Sequence, residues 1–227
     1  MIPAIILMLM RRYQKKHPHE FVLIKGKLQR AAKILLLIAI TICLVMISKA
    51  QDQNLSYVIK KSGSKIGDMN VTEIRNGSKI SLRLVSNIKT SFLFTFTAIG
   101  VEEATYDSGV LIYSSVYQKL NGSEKLNKKI KYVDNAYVIN NRGTEEKLEN
   151  VRIYYNLVCV YSHEPCTTKL IYSDKYQKFL AIQQLDDHHY KIKFPDGSAN
   201  DYWYQKGICT KVEIDHVFYS VVMELNQ

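Results

Sequence analysis

Residues 78–90 read SKISLRLVSNIKT, and the rhythm of this stretch decides the fold. Ile80, Leu82, Leu84 and Ile88 share one parity, while Ser81, Arg83, Asn87 and Lys89 share the other. Strand side chains alternate between faces, so this is a long strand with one buried face and one wet face. Asn76-Gly77 stands just before it, a hairpin signal, and NVTEIR (70–75) supplies the partner strand.

The same period of two runs outward in both directions. SFLFTFTAIG (91–100) puts Phe92, Phe94 and Phe96 on one face, and YKIKF (190–194) puts Tyr190, Ile192 and Phe194 inward. In CTKVEID (209–215), Thr210, Val212 and Ile214 oppose Lys211, Glu213 and Asp215, which leaves Cys209 on the polar register. VFYSVVMEL (217–225) aligns Val217, Tyr219, Val221 and Met223. Turn signals recur between strands at Ser108-Gly109, Asn121-Gly122, Arg142-Gly143, Asp196-Gly197 and Lys206-Gly207. Only TEEKLENVRIYYNLV (144–158) has helical character, and it is weak. About a dozen strands with short turns make an all-β antiparallel meander. An open apolar edge invites aggregation, so the meander is expected to close into a barrel or a strongly curved sheet. Lys-rich EKLNKKIKY (124–132) reads as a solvated edge strand, with Lys129 and Lys131 on one face and Lys128 on the other. Strands of this kind cannot face lipid, which favours a soluble barrel over a membrane barrel.

Ahead of the meander lies KILLLIAITICLVMISKAQDQN (33–54). Its apolar run Ile34–Ile47 is 14 residues, interrupted only by Thr41. As a helix it would span roughly 21 Å, short of the roughly 30 Å of a bilayer core. Lys25, Lys27, Arg30 and Lys33 precede it and Ser48-Lys49-Ala50 follows, the layout of a signal peptide cleaved after Ala50. The alternative is an uncleaved anchor. Residues 1–33 are long for a signal n-region, which fits a start codon placed too far upstream or, for an anchored protein, a cytoplasmic tail. The expected organisation is a leader over 1–50, with its h-region at 34–47, and one antiparallel β domain over 51–227.

Charge follows this division. Residues 1–50 hold nine of the 31 Lys and Arg and one of the 21 Asp and Glu, leaving 22 bases against 20 acids. The basic balance belongs to the leader, and nucleic-acid binding loses its main support.

Three cysteines follow the leader: Cys159, Cys166 and Cys209. An exporting route predicts one disulfide and a spare thiol. Cys159–Cys166 would close a short loop containing Pro165, and Cys166–Cys209 is the other option. HEPC (163–166) also allows His163 and Cys166 as base and nucleophile. DDHH (186–189) reads as a polar hairpin turn, because adjacent His on a strand point to opposite faces and do not share an ion. The chain contains no HExxH, CxxC, GxSxG, Walker A or GxGxxG signature, and no cofactor or metal site is expected.

The C-terminal third carries a further pattern: YSHEP (161–165), then FPDGSANDYWYQKG (194–207). Glu164-Pro165, Pro195 with Gly197, Asn200, Tyr202 with Tyr204, and Gly207 resemble a motif of uncharacterised exported proteins of Gram-negative bacteria. The resemblance implies a periplasmic, β-barrel-like fold and no particular activity. Period two from Asp201 puts Tyr202 and Tyr204 on one face and Trp203 on the other; the two tyrosines are expected inward, with Trp203 inward as the alternative.

Three functions are consistent with these features. The first is a binding module whose barrel-like cavity holds a lipid or other amphipathic molecule, with Tyr202, Tyr204, Trp203 and Glu164 as candidate contacts. Sixteen tyrosines, apolar with polar tips, suit such a lining. The second is a structural or assembly protein of the cell envelope. The third is a hydrolase-type enzyme.

Overall fold

The computed structural model describes residues 52–91, 95–216 and 219–226, together with Arg12, Arg30, Ala31 and residues 33–38. The chain divides into two compact units, Met1–Ala50 and Gln51–Gln227. In the first unit the described residues are helical and exposed. Only residues 34–38 of the expected h-region are among them, and the expected cleavage site lies outside the described residues. No helix of the described residues is long and apolar enough to cross a membrane.

The second unit is almost entirely β. Its strands are β1 (Gln53–Lys61), β2 (Ser64–Asn76), β3 (Lys79–Ser91), β4 (Thr95–Asp107), β5 (Val110–Leu120), β6 (Ser123–Val133) and β7 (Ala136–Asn141). They continue as β8 (Thr144–Glu149), β9 (Leu170–Ser173), β10 (Lys178–Asp186), β11 (His189–Lys193), β12 (Ala199–Gln205), β13 (Ile208–His216) and β14 (Tyr219–Leu225). Every pairing is antiparallel, in the order β8-β7-β6-β5-β4-β3-β2-β1-β14-β13-β12-β11-β10-β9. The first and last strands meet in the middle of the sheet, Tyr57 opposite Leu225 and Ile59 opposite Met223. The sheet is curled rather than closed, with β8 and β9 as its two edges.

The turns form where the sequence places them. At Ser108-Gly109 both residues have positive φ, 49° and 81°, the backbone twist that a two-residue hairpin requires. Gly67 serves a different need. A Cβ there would lie 2.2 Å from the Asn87 carbonyl oxygen, so only glycine lets β2 approach β3 this closely.

One face of the sheet builds the core. Leu82 and Leu84 of β3, Val71 of β2, Val116 of β5, Ile192 of β11 and Val212 of β13 are all buried. β6 is not an edge as its lysines suggested: it lies between β5 and β7. Lys129 and Lys131 sit on its exposed register, whereas Lys128 shares the parity of buried Ile130. A second correction concerns β13. A bulge opposite Trp203 and Tyr204 pairs Trp203 with Lys211 but Tyr204 with Cys209. The extra residue, Thr210, shifts the parity, and Cys209 becomes fully buried instead of lying on the polar face.

The largest departure lies between the two edges. Residues expected to be weakly helical form β8 and then a strap, residues 150–169, that runs from one edge to the other. Within the strap, Leu157–Tyr161 is a short 3-10 helix. Ile153, Val158, Cys159 and Val160 of the strap are buried in the common core.

Candidate functional site

A buried strap must find partners for its backbone N–H and C=O groups, because water cannot reach them. Tyrosines of the sheet supply them. The Tyr137 hydroxyl accepts from Ile153 N at 3.0 Å and donates to Leu111 O at 3.0 Å. The Tyr106 hydroxyl accepts from Asn156 N at 3.0 Å and donates to Asn156 Oδ1 at 2.9 Å. The Tyr204 hydroxyl donates to Val160 O at 2.7 Å, and that of Tyr57, which donates to Cys209 O of β13 at 2.7 Å, lies 3.5 Å from Tyr161 O of the strap. Burial holds all four phenols above their ordinary range, so they remain protonated donors.

The expected register of the aromatic triplet is the observed one. Tyr202 and Tyr204 are 1% and 3% exposed. Trp203 is half-buried on the other face, stacked on His189 at 4.4 Å, with Lys211 Nζ 4.6 Å from its ring. Tyr202 and Tyr204 face the chain's own strap: Tyr202 meets the ring of Tyr161 edge-on, and Tyr204 holds Val160.

Glu164 is on the strap, with a side chain 6% exposed. It accepts from Tyr190 Oη at 3.0 Å and from His188 Nδ1 at 2.9 Å. His189, the next residue, turns away to Asp201 at 3.0 Å, so the DDHH stretch is a turn whose two imidazoles serve opposite sides.

The expected Cys159–Cys166 disulfide is not formed, and Cys159, Cys166 and Cys209 are free thiols. The 3-10 helix turns Cys159 into the core, where its Sγ lies 3.3 Å from Tyr106 Oη, while Cys166 stays exposed. Burial raises the Cys159 thiol to about 11 and the Cys209 thiol to about 12. His163 Nε2 bonds to Glu73 Oε2 at 2.7 Å rather than to Cys166.

The buried carboxylates escaped sequence reading. Glu73 is 1% exposed on the inward face of β2 and is flanked by His163 and Arg75. Burial works to raise its carboxyl, but hydrogen bonds and charge from His163 and Arg75 outweigh it and hold the group below its usual range. Asp174, in the turn after β9, is 5% exposed. It accepts from Ser114 Oγ at 2.5 Å and from Asn156 Nδ2 at 2.9 Å. Burial outweighs these bonds and raises it to about 6. Glu102, on the inward register of β4, is raised to about 7 by burial and by the charge of Asp174. Inward Lys128 donates to Lys175 O at 2.9 Å. A signal for these groups was present: Glu73 and Glu102 break runs of apolar residues on their own parity, Met69-Val71 and Ala104-Tyr106.

Beside edge β9 the strap leaves a cleft of about 450 Å³, lined by Arg152, Tyr154, Tyr155, Thr168, Leu170 and Phe179. Four of these six residues belong to the strap, and the other two lie on β9 and β10. The Arg152 guanidinium stacks over the Tyr132 ring at 4.4 Å and bonds to Asn135 Oδ1 at 3.0 Å. Among the described residues no carboxylate forms an ion pair with it.

Residues 57–226 match the family described as Domain of unknown function (DUF6134). The chain belongs to this family. The matched span covers all fourteen strands except the first residues of β1. No curated protein matches the chain. Among solved structures it is similar to the crystal structure of the beta-barrel-like protein of domain of unknown function DUF1849 from Brucella abortus. The identity is 11%, the TM-score 0.48, and the match covers 78% of this chain and 96% of that one.

Proposed function

We propose that this protein is an exported, non-catalytic binding module of the cell envelope, and that it takes an amphipathic ligand with an anionic head in the cleft beside β9. The carrying observation is the exposure of three large apolar side chains around an arginine: Tyr154 at 66%, Leu170 at 55% and Phe179 at 37%. Such a cluster has a cost in water that an apolar chain would remove. The cleft volume, about 450 Å³, is within the range of small-molecule sites. Arg152 in its lining offers a fork of donors to a carboxylate or phosphate. The interior beside Tyr202 and Tyr204 is a weaker candidate, because Val160 and Tyr161 of the strap already face those rings. Export is supported by the signal-like order of charge, apolar run and small residues over 25–50.

Titration of the full-length protein with a fluorescent long-chain fatty acid, followed by displacement with lysophosphatidylglycerol, tests this reading. Phe179→Ser and Leu170→Ser should each weaken binding at least tenfold. Arg152→Gln should weaken the fatty acid while leaving a neutral monoglyceride of equal chain length unaffected. Binding that none of the three substitutions changes would refute the site.

A further inference from the structure

Asn156 is the strap's main polar anchor, and one of its partners is an acid. Its backbone N–H and its Oδ1 are both held by Tyr106, and its Nδ2 donates to Asp174 Oδ2 at 2.9 Å. Asn156 immediately follows Tyr154 and Tyr155, two walls of the cleft. Tyr155 O also accepts from Tyr172 N at 3.0 Å, joining the strap to edge β9. Whatever moves Asn156 moves the cleft.

We propose that Asp174 and Glu102 form a protonation-controlled latch: with both carboxyls neutral the strap stays seated through Asn156 and the cleft is complete, and ionisation of the pair favours a state in which the strap lifts and water reaches them. The regulatory part rests on the reading of the cleft as a ligand site; the latch itself does not.

The groups around Asp174 support this direction. Around Asp174 are Glu102 and Tyr106 of β4, Lys128 of β6, Cys159 of the 3-10 helix and Tyr172 of β9, with Lys175 next to it in the turn, and around Glu102 are also Tyr161 of the strap and Tyr202 of β12, both phenols held neutral by burial. The charge of Glu146 on β8 acts on Lys128 and Tyr172. The phenols and the Cys159 thiol stay neutral through the physiological range, because burial raises them. Lys128 is an inward cation whose charge burial disfavours, and its ammonium is bonded to a backbone carbonyl. Glu102 shares the inward face of β4 with Ala104, which pairs with Ser114, the donor to Asp174, so two neighbouring carboxyls are left to ionise near neutrality, Asp174 at about 6 and Glu102 at about 7.

The sign is fixed by linkage. A carboxyl raised by burial binds its proton more tightly in the closed state than when solvated, so closure is favoured at low pH and weakened as pH rises. For Asp174, moving from an ordinary 3.8 to about 6 corresponds to roughly a hundredfold change in the opening equilibrium if opening solvates it fully. Ser114 lets the neutral form keep the latch, since its hydroxyl can accept from a protonated Oδ1 while Oδ2 still accepts from Asn156.

Hydrogen exchange of the ligand-free full-length protein, read by mass spectrometry at pH 5, 6, 7 and 8 and corrected for intrinsic rates, tests the latch. Protection of residues 151–166 should fall at least tenfold between pH 5 and pH 8, while β3 and β4 keep theirs. The Asp174→Asn/Glu102→Gln pair should remove the pH dependence, with each single variant in between. Equal strap protection at pH 5 and pH 8 in the wild-type chain overturns the proposal, as does a double variant that keeps the wild-type slope. The fluorescent fatty acid, titrated over the same pH range, gives the second readout. Affinity that falls in step with strap protection supports the regulation; intact latch behaviour with no binding at any pH overturns the cleft reading and leaves the latch standing.

Discussion

Replacing Tyr106 by Phe isolates the role of the tyrosines, because it deletes one oxygen atom and nothing else. That oxygen serves three partners: it accepts from Asn156 N at 3.0 Å, donates to Asn156 Oδ1 at 2.9 Å, and lies 3.3 Å from Cys159 Sγ. Asn156 is 1% exposed, so its backbone N–H has no water to turn to. An orphaned buried donor costs about 1–3 kcal/mol, and the lost bond to Oδ1 adds about 1 kcal/mol. The expected loss is about 2–4 kcal/mol, a large share of the about 5–15 kcal/mol that holds a domain folded. With a urea slope of about 2 kcal/mol per molar, the midpoint should fall by about 1–2 M. Tyr202→Phe is the control. Its hydroxyl accepts from Asn200 Nδ2 at 3.0 Å, and Asn200 is only half-buried and can turn to water. That substitution should cost about 1 kcal/mol or less. Urea melts followed by far-UV circular dichroism compare the two. If Tyr106→Phe is no more destabilising than Tyr202→Phe, the tyrosines do not hold the strap through their hydroxyls.

Three further outcomes follow from the same geometry. Gly67→Ala should cost about 3 kcal/mol or more, because the new Cβ meets the Asn87 carbonyl at 2.2 Å and backbone must shift; a thermal melt within 2 °C of wild type would contradict this. Glu73→Gln should be destabilising by about 1–3 kcal/mol at pH 7, and the difference from wild type should shrink as pH falls below about 4, since a carboxylate held low by His163 and Arg75 contributes stability above its unfolded value and loses it on protonation. Paired urea melts at pH 7 and pH 3.5 measure it, and a difference that grows in acid would reverse the sign. Of Cys159, Cys166 and Cys209, iodoacetamide should label only Cys166 in the native protein, with the other two reacting only after denaturation, because both are buried and hard to ionise; peptide mapping that found Cys159 labelled as fast as Cys166 would exclude the buried thiol.

Features that depend on local chemistry were legible in the amino-acid order. Period two in residues 78–90 and its repeats gave the strands, and Ser108-Gly109 and similar pairs gave the hairpins, because alternation and positive φ are properties of a few adjacent residues. The inward register of Tyr202 and Tyr204 was legible for the same reason. The remaining features arise only when distant strands pair. A single bulge at Thr210 reverses the parity of Cys209, and nothing in CTKVEID marks it. Pairing of β1 with β14 makes β8 and β9 the edges and puts lysine-rich β6 inside the sheet, because which strands end up unpaired is a property of the whole order rather than of any one strand. Residues 151–158 looked weakly helical because periodicity cannot distinguish a helix from an extended strap whose hydrogen bonds come from distant side chains. Those partners, Tyr106 and Tyr137 above all, lie 50 and 16 residues away from the strap atoms they hold. The carboxyls of Asp174 and Glu102 are meaningful only once the curled sheet brings them together and takes water away, and that desolvation exists in no stretch of sequence.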